Sequence, residues 1–245
     1  MEQKVVYYPG CFANYYNPEI GKSLVFVMEK NGFEVLVSEQ LCCGMPMIAN
    51  SNLKGAEKNF RRIILSLYEL SQGRFPIVTT CPSCNMMLKK EGKEFFPSQE
   101  AEYVAFHVWD ASEFLLELDK NGKLNRDFGE LRLKVFYHNP CHLKVQNLTE
   151  ATLNLIKMIP GIEIVGANYA CCGMGGSYGM KEKSFKISRE IGQRVWELVK
   201  EARPDVVVTE CGGCGLQIKA GTGVRVLHPM ELLREAYILA LKRAA

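Results

Sequence analysis

Residues 77–84 read IVTTCPSC and residues 207–214 read VVTECGGC. Each is a short β-branched run that ends on a Cys-x-x-Cys pair. Such runs signal strands, and their near-continuous apolar character is that of strands buried in a parallel sheet. The pairing recurs on either side. VVYYPGC at 5–11 parallels VFYHNPC at 135–141, and LCCGMP at 41–46 parallels ACCGMGG at 170–176. FHVWDASEFLLEL at 106–118 and VLHPMELLREA at 226–236 close the two halves alike. FEVLV (33–37) and IEIV (162–165) are further strand signals. Helical periods lie between them: IGKSLVFVMEKNG (20–32) and GAEKNFRRIILSLYELSQG (55–73), then TEATLNLIKMIPG (149–161) and SREIGQRVWELVKEARPD (188–205). Three of these four stretches run into a glycine stop. Strand–helix–strand alternation predicts an α/β fold with parallel sheets, in which ligands collect past the carboxyl ends of the strands.

All ten cysteines fall inside this repeat, and every one follows a strand signal. Cys42 follows Cys11 by 31 residues and Cys81 follows Cys43 by 38; Cys171 follows Cys141 by 30 and Cys211 follows Cys172 by 39. The copies are offset by 130 residues at the first cysteine and again at the last, from Cys84 to Cys214. The chain is therefore a tandem duplication. The polar stretch DKNGKLNRDFGEL, at 119–131, lacks a sustained apolar period. The expected division is a first domain over 1–120, a linker over 121–131 and a second domain over 132–245.

A chain of 245 residues with 47% hydrophobic and 23% charged residues is globular in composition. Thirty basic residues against 27 acidic ones, a net charge of +3, argue against a nucleic-acid partner. No apolar run reaches the ~18–20 residues of a membrane helix, and the start MEQKVVYYPGC does not read as an export signal. A cytoplasmic location is expected, with any attachment to the inner face of the membrane made through partners. In a reducing compartment ten cysteines stay free unless a metal takes them.

Five thiolates per half exceed what common sites need. A tetrahedral zinc ion takes four, as does an ordinary cubane iron–sulfur cluster. Adjacent cysteines such as Cys42–Cys43 and Cys171–Cys172 bind one small ion poorly but can serve different irons of a larger, more open cluster. Iron–sulfur is the reading these spacings favour; a structural zinc module with a spare thiol in each half is the alternative.

The pattern resembles the cysteine-rich CCG domain of the heterodisulfide reductase B-type family, carried twice in tandem. The resemblance covers essentially the whole chain. Around the cysteines, GCFANYYNPEIGKSL (10–24), CCGMPMIANS (42–51) and CCGMGGSYGMKEKS (171–184) are also similar to the carboxyl-terminal half of the C component of the anaerobic glycerol-3-phosphate dehydrogenases and to the lactate-utilisation iron–sulfur proteins. The resemblance implies two tandem CCG domains, each a small parallel sheet flanked by helices. It implies two non-cubane [4Fe-4S] clusters, one held by Cys11, Cys42, Cys43, Cys81 and Cys84, the other by Cys141, Cys171, Cys172, Cys211 and Cys214. Members of the second group often lack part of the first set; this chain keeps all of it. Two roles follow: reduction or formation of a disulfide-type substrate in an oxidoreductase complex, or relay of electrons from a flavoprotein dehydrogenase to quinone. No ferredoxin-type CxxCxxCxxxCP run is present. The expected partners are therefore a ferredoxin-like iron–sulfur subunit and a flavoprotein subunit.

His142 follows Cys141 directly and is the candidate catalytic proton donor; Phe12 stands at its counterpart, so the histidine is not needed to build a site. His138, paired with Tyr8 across the repeat, reads as a strand-end cap, and His107 and His228, at the last strand of each half, read as structural. Gly173, Gly175, Gly176 and Gly179 fit close backbone approach to cluster sulfides better than a nucleotide loop. Lys181 and Lys183 are expected to be solvated surface.

Overall fold

A computed structural model describes residues 3–244. The chain divides into two compact units, Met1–Asn125 and Arg126–Ala245. The first contains strands β1 (Gln3–Tyr8), β2 (Phe33–Val37), β3 (Ile77–Thr79) and β4 (Val108–Asp110); the second contains β5 (Leu133–His138), β6 (Ile162–Asn168), β7 (Val206–Val208) and β8 (Arg225–Leu227). Within each unit the four strands form one all-parallel sheet, in the order β2-β1-β3-β4 and β6-β5-β7-β8. The fold class is therefore two tandem α/β domains of one plan. Their strand signals were readable because parallel strands are covered on both faces: Val5, Val6, Tyr7 and Tyr8 of β1 are all buried, as are Ile77 and Val78 of β3.

The long helices follow from apolar spacing. Helix Leu53–Ser71 buries Ala56, Phe60, Ile63, Ile64 and Leu67, residues three or four apart, against Val6, Tyr8 and Ile77. Asn52 caps it, its side chain accepting from the Gly55 amide at 3.0 Å. Its repeat counterpart, Glu182–Ala202, starts six residues before the stretch expected to be helical and buries Ser184, Ser188, Gly192, Val195, Trp196 and Val199. Only the last turns of that face are large. The small residues let the glycine loop at 173–179 lie against the helix start. Gly173 has φ +86°, and a Cβ there would run into the Ser188 carbonyl. The glycine spacing expected to admit cluster sulfides thus packs loop on helix at this position.

Within the polar stretch 119–131, the helix Ala111–Lys120 takes in the first two residues. The Asn125 amide donates to Asn31 Oδ1 at 2.7 Å, and the Gly129 amide donates to the Ala236 carbonyl at 2.9 Å. Phe128 packs its ring against Tyr237, with centroids 4.8 Å apart. His107 ends helix Gln99–His107, its Nδ1 2.8 Å from the Tyr103 carbonyl, and His228 Nδ1 accepts from the Met230 amide at the start of the last helix. Both histidines have structural roles.

Burial makes Leu67→Ala a measurable cavity. It should cost about 2–5 kcal/mol in chemical denaturation, while Leu65→Ala, half-exposed on the same helix, should stay within about 0.5 kcal/mol of the parent.

Candidate functional site

Three loops in each unit leave the carboxyl ends of three adjacent strands, and each carries part of a cysteine set. Cys11 follows β1, Cys42 and Cys43 follow β2, and Cys81 and Cys84 follow β3. Cys141, Cys171 with Cys172, and Cys211 with Cys214 follow β5, β6 and β7 in the same way. In open α/β sheets ligands collect at such strand ends, where neighbouring crossovers run in opposite directions, and the cysteines sit there.

Cys81 caps the short helix Pro82–Met86 and Cys211 caps helix Gly212–Thr222, so each Cys-x-x-Cys straddles a helix start. The backbone closes the first turn: Asn85 N to Cys81 O and Gly215 N to Cys211 O, both 2.9 Å. Close approach elsewhere relies on glycine. Gly10 has φ +68°, and a Cβ at that position would lie 2.8 Å from Cys84 Sγ. The loop after β1 therefore touches the sulfur contributed after β3.

In the first unit the thiols bear on one another's ionisation, Cys11 with Cys42, Cys42 with Cys43, Cys43 with Cys84 and Cys84 with Cys81. The Cys11 and Cys43 thiols hold the Cys42 thiol far below its usual range, and Cys42 in turn pushes Cys11 and Cys43 up. Cys81 is brought down to about 7 by the Cys84 thiol, helped by the Cys84 and Ser83 amides, and Cys84 is pushed up by Cys43 and then Cys81. One thiolate can exist only while its neighbours keep their protons.

The second unit repeats the cysteine placement with one addition. Cys172 Sγ and Cys214 Sγ lie 3.1 Å apart, and Gly173 N lies 3.3 Å from Cys171 Sγ. Cys172 is lowered to about 5, first by the Cys214 thiol and further by the nearby His138 ring. Cys141 is raised by burial, then by Cys211, Cys172 and Cys171. His138, Cys172 and Cys214 offer donor atoms within 4.8 Å of one another. The histidine expected to serve as a plain strand cap thus faces the sulfurs. Its signal was its place at the end of the run VFYH, three residues ahead of Cys141. Glu210 is a second residue that spacing alone did not single out. It is buried beside Cys211 and accepts from the Tyr137 hydroxyl at 3.0 Å, and burial raises its carboxyl to about 7. In the first unit Thr80 meets Tyr7 at the same distance.

Exposure follows one gradient in both units: the first cysteine is exposed, while the second of the adjacent pair and the second of the Cys-x-x-Cys are buried. All ten are free thiols. His142 is half-buried, its carbonyl accepting from Gln146 Nε2 at 2.6 Å. Lys181 and Lys183 lie at the exposed start of helix Glu182–Ala202. Five sulfurs that cannot ionise together without a cation, in a cup open on one side, fit a polynuclear iron–sulfur group. A single zinc ion would leave one thiol of each set over.

A small parallel sheet with five thiols at its strand ends, present twice, is the mark of one class of protein, the duplicated cysteine-rich α/β domain. The chain belongs to the CCG cysteine-rich domain family, whose pattern it matches at residues 5–89 and again at 135–219. It is 34% identical over 237 residues to the C component of the anaerobic glycerol-3-phosphate dehydrogenase of Escherichia coli K12, covering 96% of this chain and 59% of that protein. It is 33% identical to the B component of the fumarate reductase (CoM/CoB) of Methanothermobacter marburgensis, over 96% of this chain and 46% of that one. Lactate utilization protein A of Bacillus licheniformis is 27% identical and matched over 98% of its length. The chain thus spans less than two thirds of the first two relatives. Among the described residues, no helix is long and apolar enough to cross a membrane.

Gly10→Ala tests the cup directly. Left-handed strain alone should cost about 1–2 kcal/mol, and the added methyl should displace Cys84 Sγ. Metal bound by the first unit should fall, with the second unit's share retained, when metal per chain is measured against the parent.

Proposed function

We propose that this protein is an iron–sulfur subunit of an oxidoreductase complex. In this reading Cys11, Cys42, Cys43, Cys81 and Cys84 hold one non-cubane [4Fe-4S] cluster, and Cys141, Cys171, Cys172, Cys211 and Cys214 hold a second. The observation that carries it is the placement of five free thiols at the ends of three adjacent strands in each unit, the first exposed and the last buried. The clusters, when bound, supply one-electron carriers, two of them for a reaction that needs two electrons. A ferredoxin-like subunit and a flavoprotein subunit are the proposed electron donors.

The favoured reaction is the heterodisulfide reductase type, in which a disulfide takes up two electrons and two protons and leaves as two thiols. The chain's own residues then have defined tasks. The buried sulfurs Cys43, Cys84, Cys172 and Cys214 anchor the floor of each cup, and the exposed Cys11 and Cys141 leave a side open to substrate. His142 gives a ring proton to a leaving thiolate. Its support is its position beside Cys141, half-buried at the open side. The second reading, an electron relay from a glycerol-3-phosphate or lactate type dehydrogenase to quinone, is favoured by the 34% identity to a component of the anaerobic glycerol-3-phosphate dehydrogenase.

Anaerobically prepared protein should contain about eight irons per chain, four for each cluster, with little zinc. Colourless protein with stoichiometric zinc would establish the structural zinc module instead. Cys172→Ser should halve the iron.

His142→Phe copies the first unit and should keep its iron. Disulfide turnover should drop by about 10²-fold or more, the usual scale of a lost general acid. Equal turnover in variant and parent would take His142 out of the mechanism, and a parent that passes electrons to quinone but leaves disulfides intact would establish the relay.

A further inference from the structure

The second cup has a buried side chain beside its sulfurs that the first lacks, and its hydrogen bonds determine where its proton sits. His138 ends β5 with 1% of its surface exposed, and it is paired in register with Asn168, the last residue of β6. Asn168 Oδ1 accepts the Ala170 amide at 2.7 Å, immediately before the adjacent cysteines. That bond orients the Asn168 amide, so its Nδ2 is the atom facing His138 Nδ1 at 3.1 Å. An amide nitrogen can only donate, so Nδ1 accepts and the ring proton belongs on Nε2. With Nδ1 engaged, Nε2–H is the ring's remaining donor, and the sulfurs of Cys172 and Cys214 lie within 4.8 Å of a ring nitrogen of His138. In the first unit Tyr8 stands at this place, and its hydroxyl donates to the Leu41 carbonyl at 2.6 Å. That donor is spent on backbone.

We propose that His138 is a positioning residue of the second cup, donating its Nε2–H to the Cys172 sulfur and so setting the reduction potential of the second site above that of the first. The inference rests on the cluster reading above. A hydrogen bond to a coordinating sulfur draws off part of its negative charge and favours the reduced, more negative state of the cluster. With that donor in the second site alone, the second cluster is the easier of the two to reduce. Asn168 serves the same end indirectly, since it fixes which nitrogen carries the proton.

The test is a redox titration of the anaerobic, cluster-loaded full chain, followed by electron paramagnetic resonance. The signal lost in Cys172→Ser identifies the second site. His138→Leu removes the donor; His138→Gln replaces it with an amide N–H of similar reach. The leucine variant should lower the second midpoint by the equivalent of at least a tenfold change in the reduced-to-oxidised ratio, about 59 mV for one electron. The first midpoint should not move, and the glutamine variant should recover most of the loss. Loss of iron in the leucine variant, with iron and midpoint kept by glutamine, would also support the donor role. Unmoved midpoints with iron retained, equal shifts in both variants, or iron lost from both would each overturn it. A parent without iron–sulfur signals would overturn the cluster reading as well, so the two failures are distinct.

Discussion

Thiols packed within hydrogen-bonding distance of one another compete for charge, and that competition governs how this protein is built. Each sulfur that ionises raises the cost of ionising the next, as the opposed shifts of Cys42 against Cys11 and Cys43 show. Such a set relaxes only when a cation takes the sulfurs together. The rest of the scaffold keeps the sulfurs close regardless. Parallel strands of one sheet end at a common edge, glycine at position 10 lets one loop touch the sulfur of another, and Cys81 and Cys211 sit where helix amides converge.

Duplication copied the scaffold more faithfully than the surroundings of the sulfurs. Strand order and cysteine placement are the same in both units. The differences gather beneath the second cup. Tyr7 meets Thr80 in the first unit, whereas Tyr137 meets the buried acid Glu210 in the second; Tyr8 bonds backbone, whereas His138 lies beside sulfur. The helix behind the second loop traded bulk for Ser184, Ser188 and Gly192. A repeat that had kept only a structural metal would have little reason to specialise one copy in this way.

Much of this was readable from residue order. VVYY and DVVVT betray buried parallel strands because both faces of such strands must be apolar, and cysteine spacing exposes the repeat because ligand positions tolerate little drift. Side-chain direction was not readable. His138 looked like a strand cap because its approach to Cys172 spans 34 positions in the chain and its ring proton depends on an amide orientation set by Ala170. Nor was the packing need for glycine at 173 readable, where a Cβ would run into the Ser188 carbonyl, a contact made only once loop and helix are packed. The start of helix Glu182–Ala202 escaped periodicity for the same reason: serine and glycine on its buried face leave no hydrophobic stripe to count.

The 3.1 Å between Cys172 and Cys214 carries a consequence for how the protein must be made. A disulfide needs only about 2.05 Å between sulfurs and a modest turn of two side chains. A thiolate beside a thiol is also the usual starting point for closing that bond once an oxidant arrives. The geometry that readies the cup for metal therefore readies it equally for a crosslink that would shut metal out. Loading and oxidation are rival fates of the same pair. The order of events during biosynthesis, metal before oxygen, decides which form of the protein the cell obtains.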